Sequence, residues 1–323
     1  MSDSPPDLLA ASSLIHWTKS AGLANRLRSL AGYYVLAEIL GLDLYVCWEA
    51  DPGCQAQFEG LFDVGACDLT LEQLVNVDEK NRIAESRKVV VRQGVDWYDK
   101  IWSRHRDKVG PWSTFRDRAT KFLRSLQPVP AIHDRIEAFS ERHSLSNLPG
   151  IHVRWSDNLD VYDYFEENAT HFKRENVSTL GGFVKFIEGY KDTDNFFFAT
   201  DNRRVHDALR LLFENQLIEP SRDYIQKQSI SRRVMMKLAS FVGVRDHVDN
   251  RRSTSLDEAV IDMWLLSRCD FIVGTYYSSF SEVSAILGDL DYFDVQEVDL
   301  VRNELVDWLR GERATSPRKN FPV

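Results

Sequence analysis

Leu14-Ile15-His16-Trp17 is a short β-type run, Leu27, Leu30, Tyr34 and Ala37 recur at helical spacing between Arg26 and Leu40, and Leu42-Asp43-Leu44-Tyr45-Val46-Cys47-Trp48 returns to strand character. Strand, helix and strand in so short a span form a βαβ unit, which brings its two strands together in parallel. The pattern resumes further along, with a strand at 150–155, a helical stretch from Leu180 to Tyr190, a strand from Asn195 to Thr200 and a helix from Arg203 to Phe213. A helix from Leu256 to Arg268, a strand from Cys269 to Gly274 and a helix after Ser281 follow. Alternation of this kind predicts an α/β chain whose parallel sheets are covered on both faces. Two facing Rossmann-like lobes are expected, residues 1–146 and 147–323, joined through Ser140 to Pro149. The stretch from Leu69 to Leu145 is polar and helical in texture, with tryptophans at 97, 102 and 112.

The 323 residues are ample for two lobes, and 43% hydrophobic content suffices for their cores. A formal charge of −9 argues against nucleic acid or an anionic membrane as a non-specific partner. No apolar run reaches the roughly 20 residues of a membrane span, and the start Met1-Ser2-Asp3-Ser4-Pro5-Pro6-Asp7 lacks the cationic opening of a secretory signal. The four cysteines, Cys47, Cys54, Cys67 and Cys269, have no C-x-x-C or zinc-like spacing. Free structural thiols and a cytoplasmic location are expected.

Four constellations carry candidate chemistry. In Gly22-Leu23-Ala24-Asn25-Arg26-Leu27, Gly22 permits an unusual backbone angle, Asn25 can cap the helix, and the N–H groups of the helix start attract an anion. A capped helix with a surface arginine has the same sequence. In Gly150-Ile151-His152-Val153-Arg154-Trp155-Ser156-Asp157-Asn158, period-2 geometry puts His152 and Arg154 on one face and Ile151 and Val153 on the other. The cationic pair then lies at a strand's carboxyl end, where open α/β sheets bind ligands, and arginine's planar fork suits a diphosphate. Phe196-Phe197-Phe198-Ala199-Thr200-Asp201-Asn202 is a buried strand with an acidic turn, in which Asp201 or Asn202 either caps the next helix or faces the cleft. Lastly, Ser255 and Glu258 form a capping box, and Asp262 lies on the apolar stripe of the helix they start, where a carboxylate needs hydrogen bonds. A guanine edge, or a partner inside the protein, meets that need. Ser278 and Ser279 sit ahead of a short helix, placed to hold phosphate oxygens.

Taken in order, these pieces resemble the fucosyltransferase superfamily that includes the α1,6-fucosyltransferases, the rhizobial nodulation fucosyltransferases and the protein O-fucosyltransferases. The Gly22 to Leu27 loop looks like the amino-terminal G-x-x-N-R-like loop. His152-Val153-Arg154 with Asp157 looks like the first donor motif, Phe198-Ala199-Thr200-Asp201 like the second, and Asp262 to Ser279 like the third. The resemblance implies a GT-B fold and inverting transfer of L-fucose from GDP-fucose to a glycan or glycoconjugate hydroxyl, with no required metal or other cofactor. It implies that His152 and Asp262 contact guanine, Arg154 the β-phosphate, and Ser278 and Ser279 the diphosphate. Gly22, Asn25, Arg26 and Asp201 complete the expected donor site, and Asp157, with Asp160 and Asp163, is a candidate base on the acceptor. Trp155 stands where the α1,6 and nodulation enzymes carry a second arginine, which argues against those subgroups.

Two other readings are open. A metal-dependent glycosyltransferase using another nucleotide-sugar would hold its ion with a D-x-D string such as Asp192-Thr193-Asp194 or Asp289-Leu290-Asp291. A non-catalytic nucleotide-sugar or glycan-binding protein would keep the fold and stack sugars on the tryptophans, which otherwise pack in the core.

Overall fold

The computed structural model describes residues 10–19, 21–51, 53–86, 88–154, 180–189, 195–222, 254–275 and 278–295. These form two compact units. The first unit runs to Glu137 and takes in Glu282–Asp289, while the second runs from Ala138 to Ser281 and resumes at Leu290.

The first unit is built from β1 (Ser13–Thr18), α1 (Leu23–Leu40), β2 (Asp43–Trp48), α2 (Val77–Ser86), β3 (Val89–Gln93), α3 (Tyr98–Val109), α4 (Trp112–Ser125) and the start of α5 (Pro130–His143). Its sheet has the order β2-β1-β3, with both pairings parallel. The predicted βαβ unit is present. α1 begins at Leu23, a turn earlier than its apolar periodicity indicated, and is buried around most of its girth. Gly32 makes this possible, because a Cβ there would lie 2.6 Å from Ile101 Cδ1 and 3.0 Å from Tyr98 Cβ, so α3 packs directly on the α1 backbone. α1 ends in a Schellman closure: Gly41 adopts φ 65°, its N–H donates to Glu38 O, and the Leu42 N–H donates to Ala37 O. β3 adds a strand to the middle region that the sequence marks as helical in texture. Val89, Val90 and Val91 are β-branched and continue the sheet as a half-exposed edge.

The second unit contains the rest of α5, β4 (Gly150–Val153), α6 (Leu180–Gly189), β5 (Phe196–Thr200), α7 (Arg203–Phe213), β6 (Leu217–Ile218), α8 (Leu256–Leu266), β7 (Phe271–Thr275) and β8 (Asp291–Val295). α9 (Ser279–Gly288) starts in this unit, and its residues from Glu282 on are grouped with the first. The sheet order is β6-β5-β4-β7-β8, parallel throughout. Phe196, Phe197 and Phe198 are all fully buried, as a strand covered on both faces requires. Ile151 and Val153 enter the core with Phe198, Val273 and Phe293, so the period-2 assignment of β4 holds. From the central β4 the sheet is filled outward through β5 and β6, then from β7 on the opposite side to β8 at its other edge. The winding therefore reverses between β4 and β7.

His16 on β1 is completely buried, with Nε2 2.9 Å from Ser29 Oγ. Burial holds its pKa down at about 3, against the opposing pull of the Gly94 backbone and the Asp96 carboxylate. The unfolded chain takes up this proton near pH 6.5, while the folded chain resists it until about pH 3, so stability falls as pH drops through that window. Between pH 7 and 5 the loss should be about 2 kcal/mol in urea unfolding. His16→Gln should flatten the slope, and an equal slope in the variant would count against this origin.

Candidate functional site

Reversal of the winding between two parallel strands opens a crevice at their carboxyl ends. β4 and β7 are those strands here. His152 faces Gly274 across the ladder, its Nδ1 lies 2.7 Å from Ser281 Oγ, and its ring stacks on Phe280 at a centroid distance of 4.7 Å. Just past β4, the Arg154 N–H donates to Thr275 Oγ1 at 2.8 Å, which ties the two strand ends together where the ladder stops. The Arg154 side chain is half-buried and makes no ion pair among the described residues.

Ser278 and Ser279 are both buried at the β7 end of the crevice. The Ser278 N–H closes a turn onto Thr275 O at 3.1 Å, its Oγ is buried without a hydrogen-bond partner among the described residues, and Ser279 opens α9. Beyond β5, Asn202 caps α7 by accepting the Val205 N–H on Oδ1 at 3.3 Å. Asp201 is thereby relieved of the capping role, and its Oδ1 is buried without a partner among the described residues. His152, Arg154, Asp201, Ser278 and Ser279 thus share one sheet edge. Thr275 and Ser281, which were not singled out from the sequence, join them.

Asp262 has a protein partner. It forms an ion pair at 2.9 Å with Arg222 Nη2, both side chains being almost fully buried. Arg222 also donates from Nη1 to Thr200 O at 3.1 Å and from Nη2 to Phe198 O at 2.9 Å, which straps it across the carboxyl end of β5. Of the two ways to satisfy the Asp262 carboxylate, this structure uses the internal one. Arg222 carried no sequence signal, because its partners lie 22, 24 and 40 residues away (222 − 200, 222 − 198 and 262 − 222).

The loop expected to carry Gly22, Asn25 and Arg26 belongs to the first unit. Gly22 has φ −70° and ψ 163°, ordinary extended backbone, so the unusual angle expected of it is not used. Gly22 occupies the N-cap position assigned to Asn25, which sits in the first turn with Oδ1 buried and unpartnered among the described residues. Arg26 is fully buried rather than on the surface. Its Nε donates to Ala21 O at 2.9 Å, its Nη1 to Glu49 O at 2.5 Å, and its Nη2 pairs with Asp51 at 2.7 Å. Asp157, Asp160, Asp163 and Trp155 lie outside the described residues, as does Asp192-Thr193-Asp194. In the other D-x-D string, Asp289 pairs with Arg124 at 2.7 Å and Asp291 opens β8, at the amino edge of its sheet. No cluster of three or more metal-ligating side chains occurs among the described residues. The tryptophans pack: Trp112 stacks on Tyr98, Trp102 lies beside Trp112, and Arg28 covers Trp97 at 4.1 Å. All four cysteines are free, and burial pushes the Cys47 thiol up to about 11.

No family model and no curated protein matches this sequence. Solved structures do match it. The fucosyltransferase NodZ from Bradyrhizobium is similar with a TM-score of 0.51 at 16% identity, over 85% of this chain and 93% of that one. NodZ α1,6-fucosyltransferase co-crystallised with GDP is similar with a TM-score of 0.51 at 16% identity, and NodZ soaked with GDP-fucose with 0.50 at 17%, each over 85% of this chain and 92% of that one. This chain has the NodZ fold. The α/β class with parallel sheets that the sequence predicted is therefore met, and with it the GT-B type at the level of fold. No helix among the described residues is long and apolar enough to cross a membrane.

Removing one member of a buried ion pair strands the other charge, at a cost of roughly 3–5 kcal/mol. Asp262→Ala should lower the unfolding free energy by about that amount in urea titration. A loss near zero would mean that Arg222 finds its whole stabilisation in the β5 carbonyls.

Proposed function

We propose that this chain is an inverting glycosyltransferase that moves L-fucose from GDP-fucose to a hydroxyl of a glycan or glycoconjugate, without a metal ion. One observation carries the reading: an arginine with no ion pair among the described residues, a histidine and two buried serines converge where the winding of a parallel sheet reverses. The fold likeness to NodZ, co-crystallised with GDP and soaked with GDP-fucose, supports the choice of donor.

The chemistry follows from charge. The fucosyl C1–O bond to the β-phosphate breaks as the acceptor oxygen bonds C1 from the opposite face, and the hydroxyl proton leaves to a base. The sugar passes through an oxocarbenium-like state while GDP gains negative charge. Fixed donors around the diphosphate then accelerate the step, because they bind the transition state more strongly than the ground state. Arg154 supplies the charge at the end of β4, Ser278 and Ser279 supply hydroxyls and the N–H groups at the head of α9, and His152 meets the nucleotide. Asp201 offers its unpartnered carboxylate oxygen to the ligand. In this role set Asp262 acts through Arg222, which shapes the β5 end beside Asp201. Asp157 keeps its candidacy as base on sequence grounds.

A nucleotide-sugar panel read by release of free nucleotide tests the proposal. GDP-fucose should stand out with an added glycan acceptor, and EDTA should leave the rate unchanged. Arg154→Ala should lower kcat by about 10²–10³, with Arg154→Lys restoring little because an ammonium cannot reproduce the planar fork. EDTA-sensitive transfer from another donor would favour the metal-dependent reading. Tight GDP binding with neither transfer nor donor hydrolysis would favour a binding protein.

A further inference from the structure

We propose that Ser281 is a positioning residue for His152 and that Gly274 is the clearance through which it acts; this rests on the reading of His152 as a nucleotide contact. Ser281 lies in the first turn of α9, fully buried, and its hydroxyl meets His152 Nδ1 at 2.7 Å. His152 stands on β4 and α9 follows β7, so the contact has to pass the β7 residue opposite His152. That residue is Gly274. A Cβ at 274 would collide with Ser281 Oγ and would lie 2.9 Å from both Ser281 Cβ and Tyr292 Cε2. A side chain here would therefore push Ser281 away from the imidazole. The neighbouring Phe280 fixes what the hydrogen bond leaves free, because its ring stacks on the imidazole at an interplanar angle of 26°.

Together these contacts set two properties of the ring. The Phe280 stack fixes its plane, and the Ser281 hydroxyl fixes its direction by occupying Nδ1, whichever of the two groups donates. Any contact from the imidazole to a ligand is then made through Nε2, in one direction. A base with a specific donor and acceptor edge is read by such a group, whereas a freely rotating imidazole accepts several edges. Ser281 thus contributes to the choice of base without touching the nucleotide.

The test has two readouts, one of which needs no ligand. Nitrogen-detected NMR of the His152 imidazole should report a hydrogen-bonded Nδ1 in the native chain and a shifted Nδ1 resonance in Ser281→Ala, which removes a single oxygen. An unchanged imidazole spectrum would overturn the proposal. GDP and UDP affinities of Ser281→Ala, His152→Ala and the double variant form a mutant cycle by calorimetry. Ser281→Ala should weaken GDP about tenfold and narrow the preference for GDP over UDP, yet change neither affinity by more than about twofold once His152 is absent. Equal effects of Ser281→Ala in both backgrounds would assign it a purely structural role. Ser281→Cys, with the volume kept and a weak S–H donor, should fall between the two and serves if the alanine variant folds poorly. A native chain that binds no GDP would sink the fucosyltransferase reading alone, and the NMR comparison would still decide the role of Ser281.

Discussion

The parallel pairing of β4 with β7 is the contact on which the candidate site depends. It joins strands far apart in the chain and brings the end of the His152 strand beside the turn that precedes α9. The parts of the candidate site are registered against it: Gly274 opposite His152, Thr275 bonded to the Arg154 backbone, and Ser278 folded back onto Thr275. A slip of one residue would turn every β4 side chain over, sending the already buried His152 into the apolar core in place of Val153. The apolar alternation of Ile151 and Val153 against the Phe198 and Val273 core fixes that register. The same packing that stabilises the sheet thus aims the site.

A second tier of polar contacts holds the strand ends. Thr200 Oγ1 donates to Val153 O at 2.7 Å, so β4 and β5 are tied a second time at the last pair of their ladder, while Thr275 ties β4 to β7 just past theirs. Arg222 then caps the two β5 carbonyls at Phe198 and Thr200 and takes its counter-charge from Asp262. A buried carboxylate on an apolar helix is costly alone. Paired with a guanidinium that has two further acceptors, it becomes part of the frame around the Asp201 turn.

Much of this was legible in the sequence where the physics is local. The βαβ unit, the triple phenylalanine strand and the Ser255 cap, whose Oγ accepts the Glu258 N–H at 3.3 Å, all rest on periodicity or short-range hydrogen bonding. The convergence of His152, Arg154, Asp201 and the Ser278-Ser279 turn was legible too, because strand ends in a parallel sheet meet at one edge. β3 escaped because a short edge strand inside a polar, helical stretch has only its three valines to declare it. Arg26 misled for a different reason. Sequence places it at the head of a helix, but its long side chain folds back into carbonyls and a carboxylate supplied by residues up to 25 positions away (51 − 26). Ser281 left one trace, the glycine at 274, whose meaning depends on which residue stands across the ladder.

Arginines offer the sharpest contrast between frame and site. Arg26, Arg28 and Arg222 are all buried, and each is spent: Arg26 on Asp51 and two carbonyls, Arg28 on Glu282 at 2.6 Å and the face of Trp97, Arg222 on Asp262 and two carbonyls. A buried guanidinium stripped of such partners is strongly destabilising, so these three are bound to the fold by their own desolvation. Arg154 differs on both counts. It is half-exposed, and among the described residues only its backbone is engaged, by Thr275, so no anion of those residues competes for its fork. An arginine anchored by its main chain at the reversal point of a parallel sheet, with its charge uncommitted among the described residues, is in the state that the proposed reaction requires to answer charge developing on its leaving diphosphate.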